Sequence, residues 1–397
     1  MEITLDSIQT LALAIVVLSL GKFLRKKVSI LEKFCIPAPV IGGIIFAVGI
    51  LIGHVTNTFS FNMDAMLKPI FMIAFFTTVG FTASFKMLKK GGVQVFIFLG
   101  LAVVLVTMQD VVGVLLAKVF NLNPLIGLST GSVPMTGGHG TSGAFAPDFE
   151  LMGATGATTV AMASATFGLI MGSMIGGPIG KNLIEKHDLL KTAGKSTLND
   201  DDKKENSIKD LLNPQNFSIA SSQIIIAMGV GSIVSMFLGK FMTFPPYLGA
   251  MFVAAIMRNI ADFTNAYEIK EKEIDILGGI SLSIFLAMAL MGLKLWQLSD
   301  LGGPLFIMLA SQALLMGLFA YFVTFNVMGR DYEAAVMACG HCGFGMGATP
   351  NAMANMEALT GKYVPAPRAF FILPLIGSLF IDFFNAFIIN AFVGFFS

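Results

Sequence analysis

Residues 124–147 read PLIGLSTGSVPMTGGHGTSGAFAP, and residues 333–357 read EAAVMACGHCGFGMGATPNAMANME. Each is a run of glycine and small residues around one Gly-His pair, at His139 and at His341. Each stands between long apolar segments, yet glycine and proline break its own helical pattern. Irregular backbone is stable at membrane depth only where protein buries it or where it lines a wet cavity. Both segments therefore read as re-entrant hairpins. Helix-breaking segments at matched places in two halves of a membrane chain point to a solute site where the halves meet.

The rest of the chain supplies the membrane setting. Of its 397 residues, 55% are hydrophobic and only 12% are charged, where a soluble domain carries roughly 25% charged residues. The lipid bilayer is the expected surrounding. A net charge of +1 provides no basic surface for nucleic acid, which is excluded as a partner. Three cysteines, Cys35, Cys339 and Cys342, cannot build a disulfide framework. The first 20 residues carry Glu2 and Asp6 but no basic n-region, so they read as a first spanning helix, not a cleaved signal.

A spanning helix needs about 20 mostly apolar residues. Ten segments meet or approach this: 8–24, 36–53, 67–85, 94–119, 154–180, 217–239, 245–261, 274–293, 304–327 and 366–395. The charged stretch 185–216 reads as a solvated linker. It divides the chain into an N-terminal repeat, 1–184, and a C-terminal repeat, 217–397. Landmarks recur between them. IPAPVIGG (36–43) resembles FPPYLGA (244–250), and FKMLKKGG (85–92) resembles KLWQLSDLGG (294–303). The separations are 207, 211 and 202 residues, for Pro39 to Pro246, Gly92 to Gly303 and His139 to His341.

Five spanning helices per half is an odd number, so the second copy enters the membrane inverted. Charge tests this independently, because cytoplasmic connections collect Lys and Arg. On alternate connections these residues total 21 against 4, the four being Lys68, Lys118, Lys240 and Lys294. Both termini are then outside and the linker is cytoplasmic. The first hairpin enters from outside and the second from the cytoplasm.

The hairpins carry the candidate chemistry. Gly137, Gly138 and Gly140 flank His139; Gly340, Gly343, Gly345 and Gly347 surround His341. Glycine lets backbone approach a ligand closely. Broken helices offer carbonyls to a cation, and N–H groups with a positive dipole end to a carboxylate. Thr136, Thr141, Ser142, Thr349, Asn351 and Asn355 add hydroxyl and amide partners. The plain alternative is close packing of small residues between helices. The histidines could bind substrate or carry a proton, or could anchor the hairpins; two alone make no complete metal site. The CGHC motif at 339–342 lacks the soluble strand-to-helix setting of a redox pair.

Ionisable residues at membrane depth are site candidates in their own right. Asp382, with Asn385 three positions on, could hold a cation such as Na⁺, and so could Asp110, beside Gln109. Gln312 stands in the corresponding later segment. Gly168, Gly172, Gly176 and Gly180 form one stripe for helix packing, one that could also slide. Arg258 reads either as a topology anchor or as a contact for an anionic substrate.

With GGHGT (137–141), GHCGFGMGATPNAMANM (340–356), SLSIFLAMALMGLKLW (281–296), IPAPVIGG and the GLIMGSMIGGP run in view, the chain resembles the bacterial glutamate:sodium symporter family over nearly its whole length. The resemblance implies a multi-pass protein of the bacterial inner membrane that imports L-glutamate with Na⁺ and needs no further cofactor. It also implies two inverted five-helix halves, each with a re-entrant loop, and a homodimer. The family's hairpin motifs fall on Gly137 to Thr141 and on Gly340 to Asn355. The expectation is an all-α polytopic membrane protein with ten transmembrane helices and two opposed hairpins, a transporter and not an enzyme. A symporter of another organic anion is the alternative. A histidine-dependent intramembrane enzyme would need a nucleophile, metal set or acid/base pair that the sequence does not offer.

Overall fold

The computed structural model describes all residues except 1, 30, 32–35, 65, 91, 192–212, 239–245, 265, 298–301 and 397. Cys35, Lys33, Lys240, Pro245 and most of the expected 185–216 linker lie outside the described residues.

The chain is helical almost throughout. Helix α1 (Ser7–Lys27) starts at a reciprocal cap: the Asp6 side chain accepts from Gln9 N–H at 2.8 Å, and the Gln9 side chain accepts from Asp6 N–H at 3.1 Å. Arg25, Lys26 and Lys27 occupy its last turn, where the helix dipole favours cations. α2 (Ala38–Thr56) begins after Pro37 and ends at Asn57 in the left-handed conformation. α3 (Lys68–Thr82) follows, then the short helix Phe85–Lys90 and α4 (Gly92–Val119).

The first expected hairpin is observed as three short helices, α5 (Pro124–Leu128), α6 (Ser132–Met135) and α7 (Gly138–Leu151). The long α8 (Ala157–Lys186) closes this half. The second half runs α9 (Pro214–Leu238), α10 (Pro246–Thr264), α11 (Glu271–Met291) and α12 (Gly302–Leu318). The second hairpin is α13 (Tyr332–Gly345) and α14 (Thr349–Thr360). The chain ends in α15 (Pro367–Leu375) and α16 (Ile381–Phe396).

Seven helices among the described residues are long and apolar enough to cross a membrane, which makes this a polytopic membrane protein. The expected segments 67–85, 245–261 and 366–395 appear as α3, α10 and the α15–α16 pair. Two π-helical turns were not foreseen: Phe319–Thr324 continues α12, and Ile376–Phe380 joins α15 to α16. Such turns recur at functional sites. The all-α expectation also needs a small correction. Glu2–Leu5 and Ser60–Met63 form a two-stranded parallel pair, with Glu2 opposite Ser60 and Leu5 opposite Met63.

The helices sort into two bundles. In the first, α1, α2, α3, α9, α10 and α11 pack on one another; in the second, both hairpins pack with α4, α8, α12, α15 and α16. Small residues permit backbone contact within each, as membrane helices require. A Cβ on Gly42 would stand 2.0 Å from the Val17 carbonyl oxygen, so only glycine fits between α1 and α2. Side chains far apart in sequence also lock the first bundle. Asn259 Nδ2 donates to the Ala83 carbonyl at 2.7 Å, its Oδ1 accepts from Phe85 N–H at 2.9 Å, and Ser84 bonds Asp262. Arg258 pairs with Asp262 at 3.0 Å and Glu271 at 2.5 Å. It is committed to these carboxylates at the end of α10.

A cavity between the two hairpin tips

Each hairpin breaks where its sequence demands it. In the first, Gly138 adopts φ +60°, a conformation that L side chains rarely take, and α7 starts there. In the second, the chain unwinds over Met346–Ala348 before α14 restarts at Thr349-Pro350. Neither restart has a side-chain cap. First-turn N–H groups have no partner inside their own helix, so the first restart presents free donors from Gly138 to Gly140. At the second, Pro350 has no N–H and the Asn351 N–H bonds the Ala348 carbonyl at 3.0 Å, which leaves the Thr349 N–H and the positive dipole end.

The two tips meet. A Cβ built on Gly138 would lie 3.1 Å from the Gly347 carbonyl oxygen. Around them lies a cavity of about 300 Å³, whose lining includes Thr136 to Gly140 from the first tip and Gly347 to Pro350 from the second. Asp382, at the start of α16, and Gly377, in the π turn before it, complete the polar side. Phe75, Leu282 and Leu286 from the first bundle supply an apolar wall. The cavity thus sits between the bundles, with its polar groups on one of them.

Helix α4 holds both tips. Gln109 Oε1 accepts from Thr136 Oγ1 at 2.8 Å, and its Nε2 donates to the Gly345 carbonyl at 2.6 Å. Gln312 Nε2 donates to the Gln109 carbonyl at 2.8 Å, tying α12 to the same point. One residue along, Asp110 accepts from the Ser132 N–H at 2.8 Å and Ser132 Oγ at 2.9 Å. That caps α6 inside the first hairpin. Asn385 Nδ2 donates to the Ser132 carbonyl at 3.3 Å from the other side.

The sequence over residues 3–365 matches the family described as sodium/glutamate symporter. The "Sodium/glutamate symporter" of Haemophilus influenzae is 40% identical over 394 residues, covering 97% of this chain and 96% of that one. The protein of that name from Escherichia coli is 40% identical over 396 residues, covering 98% of each, and so is that of Shigella flexneri. The chain belongs to the sodium/glutamate symporter family.

Membership makes the chain a transporter, not an enzyme, and gives the cavity its setting. The expected site residues divide by position. Thr136, Gly137, Gly138, His139, Gly140, Gly347, Thr349 and Asp382 line the cavity. The others stand behind it. Ser142 Oγ bonds the Gly138 carbonyl at 2.7 Å, and Thr141 is buried beside it. Asn351 Nδ2 reaches the Leu169 carbonyl and Ser173 Oγ, both at 2.9 Å; Asn355 Nδ2 reaches the Gly172 carbonyl at 2.9 Å. These amides hold the second hairpin against α8. Gly340 abuts Leu373 and Met356, Gly343 abuts the Ala352 backbone, and Gly345 abuts Met316 and Leu105.

The histidines differ. His139 lies on the cavity, with Nε2 3.0 Å from Thr166 Oγ1. His341 is buried among Phe98, Phe319 and Phe344, with Nδ1 2.9 Å from Thr324 Oγ1 in the first π turn. The α8 glycine stripe packs on the second hairpin: a Cβ at Gly168 would sit 2.2 Å from the Met346 carbonyl oxygen. With Asn351 and Asn355 bonded across it, that seam is locked. Gln109 is the central residue that sequence reasoning underweighted. Its signal was a polar pair, Gln109-Asp110, inside an apolar helix.

Proposed function

We propose that the chain imports L-glutamate together with Na⁺ by alternating access around this cavity. The observation that carries the reading is one cavity lined by both hairpin tips and by Asp382. Two helix N-termini without side-chain caps open on it. Glutamate brings two carboxylates, one for the N–H groups of Gly138 to Gly140 and one for the Thr349 N–H and the dipole end behind it. Thr136 and Thr349 add hydroxyls, and the glycines let backbone reach the ligand. Thr141, Ser142, Gly340, His341, Gly343, Gly345, Asn351 and Asn355 shape the two tips from behind.

Asp382 is the principal Na⁺ ligand, because a carboxylate at membrane depth requires a cation. Asn385 and Asp110 complete the cation's surroundings. Asn385 Oδ1 is buried with no hydrogen-bond partner among the described residues. Asp110 uses two acceptor positions on Ser132, which leaves about two of a carboxylate's four. Na⁺ binds first, since it offsets negative charge that would repel an anionic substrate.

The chain consists of two inverted five-helix repeats, 1–184 and 217–397, joined by a cytoplasmic linker at 185–216. The 21-to-4 charge split supports this, and so does the bundle composition. The first three helices of each half make one bundle; the hairpin and last helices of each half make the other. Both termini are outside, in the inner membrane of a bacterium, and two copies form a homodimer. The hairpin-bearing bundle moves against the other.

The test is uptake of labelled L-glutamate into proteoliposomes. An inward Na⁺ gradient should drive accumulation, and its collapse should abolish it. Uptake indifferent to Na⁺ would remove the coupling. Competition by unlabelled dicarboxylates as strong as by glutamate would move the substrate to anions without an ammonium group.

A further inference from the structure

Under the topology proposed above, the outward face has four basic residues, Lys68, Lys118, Lys240 and Lys294. The fold brings two of these, from different halves, to one cavity of about 180 Å³. Lys68 opens α3, and Lys294 follows the end of α11. Neither ammonium makes an ion pair within 4 Å or a hydrogen bond among the described residues, although Asp148 and Glu150 lie near enough to Lys68 to attract its charge. The carboxylates on the same walls are occupied. Glu150 Oε1 accepts from Thr158 N–H at 3.1 Å, and Asp64 accepts from Ser7 Oγ and Met66 N–H. Those two bonds hold the Asp64 carboxyl below its usual range, so it stays ionised. The hydroxyl oxygens of Thr10 and Thr158 are buried without partners.

This second cavity lies on the seam that also holds the central one. Leu282 and Leu286 of α11 line the central cavity, while Met288, Gly292 and Lys294 line this one. The hairpin arm α7 shows the same order, with Gly140 on the first and Glu150 on the second. Between them Phe285 closes the seam. A Cβ on Gly143 would stand 2.7 Å from Phe285 Cζ and 3.0 Å from Met162 Cε.

We propose that this cavity is an outward entry site for the dicarboxylic amino acid, where Lys68 and Lys294 receive its carboxylates before the Phe285 seal opens. The inference rests on the transport reading above. Two ammoniums with no direct hydrogen bond, beside two carboxylates, suit a solute with two carboxylates and one ammonium. With Asp64 and Glu150 on the same walls the mouth carries no net positive charge, so the two lysines act by direct contact with the carboxylates of the solute.

The experiment uses the full chain reconstituted in vesicles, with glutamate uptake measured from either face. Lys68→Gln and Lys294→Gln should each raise the KM for external glutamate, and the double variant should raise it on the order of tenfold at low ionic strength, less in high salt. The KM measured from the opposite face should not move. Arginine at either position should restore the external KM. Lys118→Gln, which removes an outward charge that does not line this cavity, should leave both values as they were. An unchanged external KM in the double variant, or equal changes from both faces, would overturn the entry site. Failure of the unmodified protein to transport glutamate would instead overturn the reading beneath it.

Discussion

At the residue scale, Gln109 and Asp382 separate positioning from binding. Gln109 touches both tips but does not line the cavity. In Gln109→Leu, the Thr136 hydroxyl and the Gly345 carbonyl each lose their shorter buried bond and keep only the 3.4 Å one between them, a loss of about 1–3 kcal/mol in all. The expected outcome is a lower melting temperature and uptake reduced on the order of tenfold, with the Na⁺ concentration for half-maximal uptake little changed. Asp382 faces the cavity. Asp382→Asn keeps its size and removes its charge, so the half-saturating Na⁺ concentration should rise about tenfold, the equivalent of ~1.4 kcal/mol. Unaltered Na⁺ activation would take Asp382 out of the cation site. Both residues stood out in sequence as polar groups in apolar helices. What distinguishes them is which neighbour each reaches, and a single helix's pattern holds no information on that.

At the element scale, the hairpins were legible because glycine and proline announce a broken helix. Their backing was not. Asn351 and Asn355 look like ligand groups in a Gly-rich run, yet their amides face carbonyls of α8. The parallel pair of Glu2–Leu5 with Ser60–Met63 left no trace either, since four residues are too few to display an alternating pattern. The α8 stripe was visible as spacing, but its partner became clear only from packing. That packing predicts a sharp contrast along one helix. Gly168→Ala drives a methyl into the Met346 carbonyl, next to the cavity-lining Gly347. Overpacking of this kind costs about 1–3 kcal/mol, and thermal unfolding in detergent should report it along with lost uptake. Gly177→Ala, where a Cβ meets nothing within 4 Å, should match the unmodified protein in both. The base of the second hairpin carries a further tie. Arg368 Nη2 reaches both Asp331 oxygens, at 2.6 and 2.7 Å. Arg368→Gln should loosen the start of α13, giving faster proteolysis at residues 328–333 than in the unmodified protein.

At the scale of the whole molecule, alternating access depends on which contacts can move. Within each bundle, backbone meets backbone across glycine and hydrogen bonds join distant segments, so each bundle behaves as a block. Between bundles the contacts on the hairpin arm are apolar side chains: Phe75 and Leu282 against Gly140, and Phe285 against Gly143. Apolar faces without hydrogen bonds can slide at small cost, because no polar group is left unpaired on the way. The first hairpin must therefore travel past Phe75, Leu282 and Phe285 if the central cavity is to open to the side now closed by Phe285. Cysteines in place of Gly143 and Phe285, joined by a short reducible bifunctional thiol reagent, should stop uptake while the bundles are tethered. Reduction should restore it. A tether within one bundle, between cysteines replacing Ser84 and Asn259, should leave the motion free and uptake the same as in that variant before tethering. Uptake that survives the Gly143–Phe285 tether would mean that access alternates by movement of the hairpin tips alone, with the two bundles fixed.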